Sequence, residues 1–223
     1  MLLKLFSLAA LGAVWAQAAP LATDRLAAAA QAFKEVMGIP DKAIPQGLVN
    51  KAQCFVIVPQ LKEGAFVFGG KYGKGFVTCR KEGGVGWSAP GSIRIEGGSF
   101  GFQIGGQETD VFMLVMNKAG MNHLLSSKFT LGADAQATAG PVGRSTQAET
   151  DAFLTAEILT WSRTKGLFGG IALSGATLRP DADWNKELYG KELTNREIVT
   201  GNVAPPAAAA TLLEELNKYS SRK

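Results

Sequence analysis

The chain has 223 residues, of which 23 are basic and 19 acidic, for a formal charge of +4, and 46% are hydrophobic. This mix supports one globular domain with a full core and excludes a disordered or collagen-like chain. One His and two Cys argue against multi-ligand zinc sites and iron–sulfur clusters, so no metal or cofactor is expected. The mild positive charge points to anionic partners and away from a dedicated nucleic-acid binder.

Residues 1–20 read MLLKLFSLAALGAVWAQAAP. Lys4 supplies a positive start, residues 5–15 an apolar run, and Ala16-Gln17-Ala18 the small residues before a cut. That pattern is a secretory signal peptide over residues 1–18. The run is short of the ~20 apolar residues a membrane span needs. The expectation is an exported protein, periplasmic or secreted. Export opens two readings of Cys54 and Cys79, which sit in separate apolar runs. They pair as a disulfide, or they stay apart as buried apolar residues.

A helical segment is expected over 19–52. Thr23 is its candidate cap, and Leu26, Ala30, Phe33 and Met37 recur at helical spacing as one apolar stripe. Gly38-Ile39-Pro40 ends that helix, and a second short one leads to Ala52. From 53 to 190 the pattern turns to short β-branched and aromatic runs broken by Gly and Pro. Fourteen of the 27 glycines fall between Gly64 and Gly106. Glycines inside strands mark bulges and close backbone approach, so a strongly curved sheet is expected. Phe100, Phe102 and Ile104 alternate with Gly101, Gln103 and Gly105 there. The run 111–116 reads as a central strand, and 170–178 as a late one. Thr194-Asn195-Arg196-Glu197 fits a capping box. A last helix after Pro205-Pro206, in the segment 191–223, carries Leu212, Leu213, Leu216 and Tyr219 on one side. The fold class is α+β: a Gly-rich, barrel-like antiparallel sheet flanked by N-terminal and C-terminal helices.

Two strings mimic catalytic motifs. Gly97-Gly98-Ser99-Phe100-Gly101 fits the nucleophile-elbow pattern, with Asp110 and His123 following in hydrolase order. An elbow needs a strand-to-helix turn, whereas Ser99 leads into an alternating strand, so a turn serine is the better reading. Gly69-Gly70-Lys71-Tyr72-Gly73-Lys74-Gly75 resembles a phosphate loop but lacks the Walker spacing. Lys71 and Lys74 on such a loop suit an anionic headgroup. No catalytic residue is expected.

The run EGGSFGFQIGG at 96–106 resembles the signature of the SYLF domain family. So do FTLGAD at 129–134, AGPVGR at 139–144, WSRTKGLFGG at 161–170 and WSAP at 87–90. The resemblance implies a non-enzymatic domain that binds phosphoinositide-like anionic membranes through an amphipathic N-terminal helix and a basic surface. Some yeast members also bind actin filaments. Carried onto this chain, the membrane-contact helix offers Leu26, Phe33 and Met37, and the lipid-binding cations are Lys34, Lys42, Lys51, Lys71 and Lys74. The expected partner is an anionic phospholipid surface. A cell-envelope interaction module with a protein partner is the alternative.

Overall fold

A computed structural model describes residues 21–65, 69–99, 105–143 and 156–220. The signal-peptide reading of 1–18 and the alternation at Phe100–Ile104 lie outside these residues. Among the described residues no helix is long and apolar enough to cross a membrane.

The chain opens with helix α1 (Ala22–Met37) and a short α2 (Gln46–Lys51). Four long strands follow: β1 (Cys54–Ala65), β2 (Gly69–Cys79), β3 (Gly91–Ser99) and β4 (Gly105–Val115). After α3 (Lys118–Leu124) come five shorter strands: β5 (Phe129–Thr130), β6 (Ala137–Ala139), β7 (Ile158–Thr164), β8 (Leu167–Gly170) and β9 (Thr177–Pro180). Helices α4 (Ala182–Tyr189), α5 (Asn195–Thr200) and α6 (Ala210–Ser220) complete it. The fold is α+β, with one sheet ordered β5-β9-β3-β2-β1-β4-β7-β6 and β8 beside β7. The expected sheet was wholly antiparallel. One pair, β6 with β7, runs parallel, so the curled half-barrel is mixed. The curl brings its two flanks within reach of a six-residue link, 171–176, so the expected strand 170–178 is in fact the end of β8, this link and the start of β9.

Over their apolar runs the long strands are buried on both faces, which is why those runs are unbroken. Phe55, Ile57, Phe76, Phe112 and Trp161 point to the face that carries α1, α2 and α6. Val56, Val58, Val77, Ile93, Val111 and Met113 point to the opposite face, toward α3 and α5. Cys54 and Cys79 are direct partners in the β1–β2 ladder and are joined as a disulfide. Close backbone approach accounts for Gly140 and Gly170. A methyl group on Gly140 would overlap the Trp161 ring, and one on Gly170 would strike the Gly140 carbonyl. The Trp161 indole N–H donates to the Pro141 carbonyl at 2.9 Å. Two stretches singled out in the sequence thus form one packing unit.

Helix starts follow local chemistry. The capping box of α5 is present: Thr194 accepts from the Glu197 N–H at 3.2 Å and its own N–H donates back to Glu197 at 2.8 Å. Thr23 is not the cap of α1. That helix begins one residue earlier, and its first N–H, from Ala22, donates to Glu187 of α4 at 2.9 Å. A distant carboxylate replaces the local cap.

Candidate functional site

The apolar stripe of α1 points inward. Leu26 and Phe33 are fully buried and Met37 nearly so. Phe33 meets Phe55 and Tyr219 edge to face at 5.1 and 5.8 Å. The expected membrane-contact residues are therefore core residues. The helix period marked one apolar face, and the sheet and α6 occupy it.

The five lysines do not converge on one patch. Lys34 lies exposed in the last turn of α1, Lys42 exposed in the loop beyond, and Lys51 exposed at the end of α2. Residues 69–75 are strand, not loop. Lys71 and Lys74 are three apart on β2, so they project from opposite faces. Lys71 pairs with Glu63 at 3.4 Å. Lys74 pairs with the buried Asp181 at 2.7 Å and stands 4.4 Å above the Trp184 ring. Those bonds pin β2 to the start of α4.

What the register does assemble lies beside Lys74, toward the Ala65–Gly69 end of the ladder. One rung runs Glu108, Lys62, Tyr72, Glu96 and Thr177 across β4, β1, β2, β3 and β9. The next carries Lys74, Arg94 and Arg179 on the same face. Lys62 and Glu108 are exposed, and Tyr72 is 49% exposed. Glu96 holds Arg94 at 2.7 Å and Arg179 at 3.7 Å. Four cations thus share a partly open face with the carboxylates of Glu96 and Glu108 and the buried one of Asp181. The alternation Ser92-Ile93-Arg94-Ile95-Glu96 is the signal that reveals β3's part of it. Lys62 and Arg179 carry no such local mark.

A bulge in β1 bounds this face. The ladder slips between Val58 and Leu61, where Gln60 takes φ +52°. The Gln60 N–H donates to Asp110 at 2.9 Å. Arg25 of α1 donates to the Pro59 carbonyl at 3.0 Å and to the Gln60 side chain at 2.9 Å. Arg163 donates twice to Asp110, at 2.7 and 2.9 Å, and pairs with Glu35. Burial lowers the Arg25 pKa. Burial also works against the Arg163 charge, but Glu35 and Asp110 outweigh it and raise that pKa. The hydrogen bond from Arg163 holds the Glu35 carboxyl below its ordinary range.

The catalytic string does not assemble. Ser99 pairs with Gly69, on the same rung as Ala65 and Gly105. His123 follows the far end of β4. The 11 residues of β4 thus run between the rung of Ser99 and the approach to α3, so the two positions do not come together in a site. Asp110 is committed to Arg163 and the bulge. Among the described residues no three His, Cys, Asp or Glu side chains gather to hold a metal. A cavity of ≈ 510 Å³ opens between α4 and the start of α5, but the two buried amides at its base, Asn185 and Asn195, are bonded to each other at 2.8 Å and to Ser92.

The profile of the Ysc84 family, described as "Las17-binding protein actin regulator", matches residues 96–219. The chain belongs to this family, whose shared unit is the SYLF domain. It is 36% identical over 179 residues to "SH3 domain-containing protein PJ696.02" of Schizosaccharomyces pombe, covering 79% of this chain and 41% of that protein. It is 34% identical over 179 residues to "Protein YSC84" of Saccharomyces cerevisiae, covering 79% and 38%. With "SH3 domain-containing YSC84-like protein 1" of Mus musculus it shares 32% over 184 residues, covering 82% and 54%. The chain thus spans about two-fifths to one-half of the length of these relatives.

Proposed function

We propose that this SYLF domain is a non-catalytic module that binds anionic, phosphoinositide-like phospholipid surfaces, and that it works outside the cytoplasm after loss of residues 1–18. The observation that carries the reading is the two-rung face of Lys62, Tyr72, Lys74, Arg94 and Arg179. Phosphate groups suit the place of Glu96, whose carboxylate now forms ion pairs with both arginines. Each Lys or Arg near an anionic leaflet adds ~1 kcal/mol. Membership of a family described by binding and regulation supports a role without chemistry. The export reading rests on the sequence of residues 1–20, and the Cys54–Cys79 disulfide supports it, because such bonds persist in oxidising compartments. The buried stripe of α1 takes no part in this contact.

Vesicle sedimentation tests the reading. The full chain is expected to bind phosphatidylcholine vesicles only when they contain anionic lipid, and to release in high salt. Replacing Arg94 and Arg179 together by Gln weakens that binding. Negligible binding to both vesicle types at low salt overturns the proposal. A second reading, a protein-binding module, is favoured by the family description. One stoichiometric protein captured from envelope extract, with vesicles ignored, decides for it.

A further inference from the structure

The rung that carries Lys74, Arg94 and Arg179 is an unfavourable piece of surface. Lys74 lies directly across from Arg94, and Arg94 directly across from Arg179, on three neighbouring strands. Like charges set opposite one another destabilise a sheet. Two carboxylates serve the three cations: Asp181 pairs with Lys74, and Glu96, one rung along, pairs with both arginines. Three cations against two carboxylates leave one positive charge unmatched.

The hydrogen bonding is unfinished too. The Nε atoms of Arg94 and Arg179 are both buried, and neither has a hydrogen-bond acceptor among the described residues. Glu96 stands 2.7 Å from the first and 3.7 Å from the second, the one out of line with its N–H and the other too far. A buried donor without an acceptor costs free energy and points to a missing partner.

The charge count says what kind of partner. Glu96 is partly exposed and can turn out to solvent. The rung and Asp181 then hold two positive charges. A phosphomonoester brings three terminal oxygens and a charge of about −1.5 to −2 at neutral pH, so one such group matches that charge and accepts from both arginines. A phosphodiester or a second carboxylate brings a single charge.

We infer that Arg94 and Arg179, with Lys74 beside them, form a discrete site for one phosphomonoester group, and that Glu96 is its built-in competitor, displaced on binding. This deepens the reading above by naming the group that the face selects. A lipid headgroup or a free phosphate ester can carry that group. Glu96 makes the site selective, because a singly charged phosphodiester gains too little to displace a carboxylate already in place.

The test titrates the full chain with methyl phosphate and with dimethyl phosphate and follows the arginine Nε–H resonances by NMR. In the parent, methyl phosphate is expected to move the Arg94 and Arg179 signals and dimethyl phosphate to leave them. Glu96→Gln is expected to bind methyl phosphate about fivefold more tightly, the worth of a displaced surface ion pair, and to respond to dimethyl phosphate as well. Arg179→Gln loses the methyl phosphate response, while its thermal unfolding stays at or above that of the parent because an opposed charge is gone. Parent signals that ignore methyl phosphate, or a Glu96→Gln chain that binds it no better, overturn the inference. Phosphatidylcholine vesicles with phosphatidic acid or with phosphatidylglycerol, matched in surface charge, separate the two sources. A preference for phosphatidic acid that Glu96→Gln abolishes assigns the lipid-borne group. Equal binding to both vesicles, with the Nε–H signals unmoved by methyl phosphate, removes this site and leaves the membrane reading standing. Methyl phosphate binding with both vesicles ignored keeps the site, for a free ester, and removes the membrane reading.

Discussion

The two ends of the long strands are built to different rules. At the end where β1 begins, the Cys54–Cys79 disulfide closes the first rung of the ladder. Arg80 follows directly, its guanidinium 3.9 Å from the Trp87 ring centroid and bonded to the Val49 carbonyl at 2.9 Å and to Ser220. It satisfies carbonyls at the ends of α2 and α6 at once. Trp87 in turn meets Phe55, Phe55 meets Phe33 and Phe33 meets Tyr219, each edge to face. At the other end, the hairpin end, the rungs carry Lys62, Tyr72, Glu96 and Glu108, and Leu167 stands open just after the left-handed turn residues Lys165 and Gly166 of the β7–β8 hairpin. Stability is concentrated at the first end, which leaves the second free to carry surface chemistry at little cost to the fold.

The sharpest way to break this contrast is at Phe33. Phe33→Ala removes a fully buried ring and is expected to cost ~3–5 kcal/mol, read by urea unfolding. A cost below ~1 kcal/mol would put the α1 stripe outside the core and return it to the membrane-contact role that its periodicity suggested. The disulfide comes next. It joins residues 25 apart in sequence. Replacing both cysteines by Ser is expected to cost ~2–4 kcal/mol, much of it from a freer unfolded chain. Reductant should lower the parent's midpoint and leave that of the double variant in place. A double variant as stable as the parent would mean that the closed end owes its strength to packing alone.

The same contrast separates what could be read from the residues and what could not. Buried strands announce themselves: the runs 54–58 and 111–115 are apolar at every position because both faces are covered. The capping box and the last helix are local patterns and stand where expected. Gly73 and Gly75 mislead, because a glycine-rich stretch looks like loop. Here they are strand residues beneath the β1 bulge, where a side chain would collide with Leu61 and Ile57. The stripe of α1 shows that one face is apolar but not which surface meets it. The lysines were hardest. Lys74 finds Asp181 across more than a hundred residues, and only the completed ladder sets Lys62 beside Tyr72. The exposure of Leu167 carries no local signature, since one leucine after Gly reads like any hairpin residue.

The ion pair of Arg163 in β7 with Glu35 in α1 predicts a smaller, pH-dependent effect. Arg163 holds the Glu35 carboxyl below its ordinary value of 4.5. A carboxylate depressed in the folded state stabilises fully above that ordinary value, and its contribution is lost as pH falls through the folded one. Glu35 is 44% exposed, so solvent screens the pair. Glu35→Gln is expected to lower stability at neutral pH by under ~1 kcal/mol. The gap from the parent should close as the solution is acidified and narrow in high salt. A gap that stays constant to low pH would show that the side chain acts through packing rather than charge.

The smallest expected effect is the most telling. Leu167 and Phe33 are both large apolar residues, and composition treats them alike. Leu167→Ser removes no buried contact and leaves the turn's two left-handed residues untouched, so unfolding free energy should stay within ~0.5 kcal/mol of the parent. Urea unfolding of the two variants side by side therefore sets several kcal/mol against almost nothing. A cost for Leu167→Ser approaching that of Phe33→Ala would mean that the hairpin folds onto the protein in solution, with its leucine covered. The hairpin end would then belong to the stable half of the molecule, and the division of labour between the two ends would not hold.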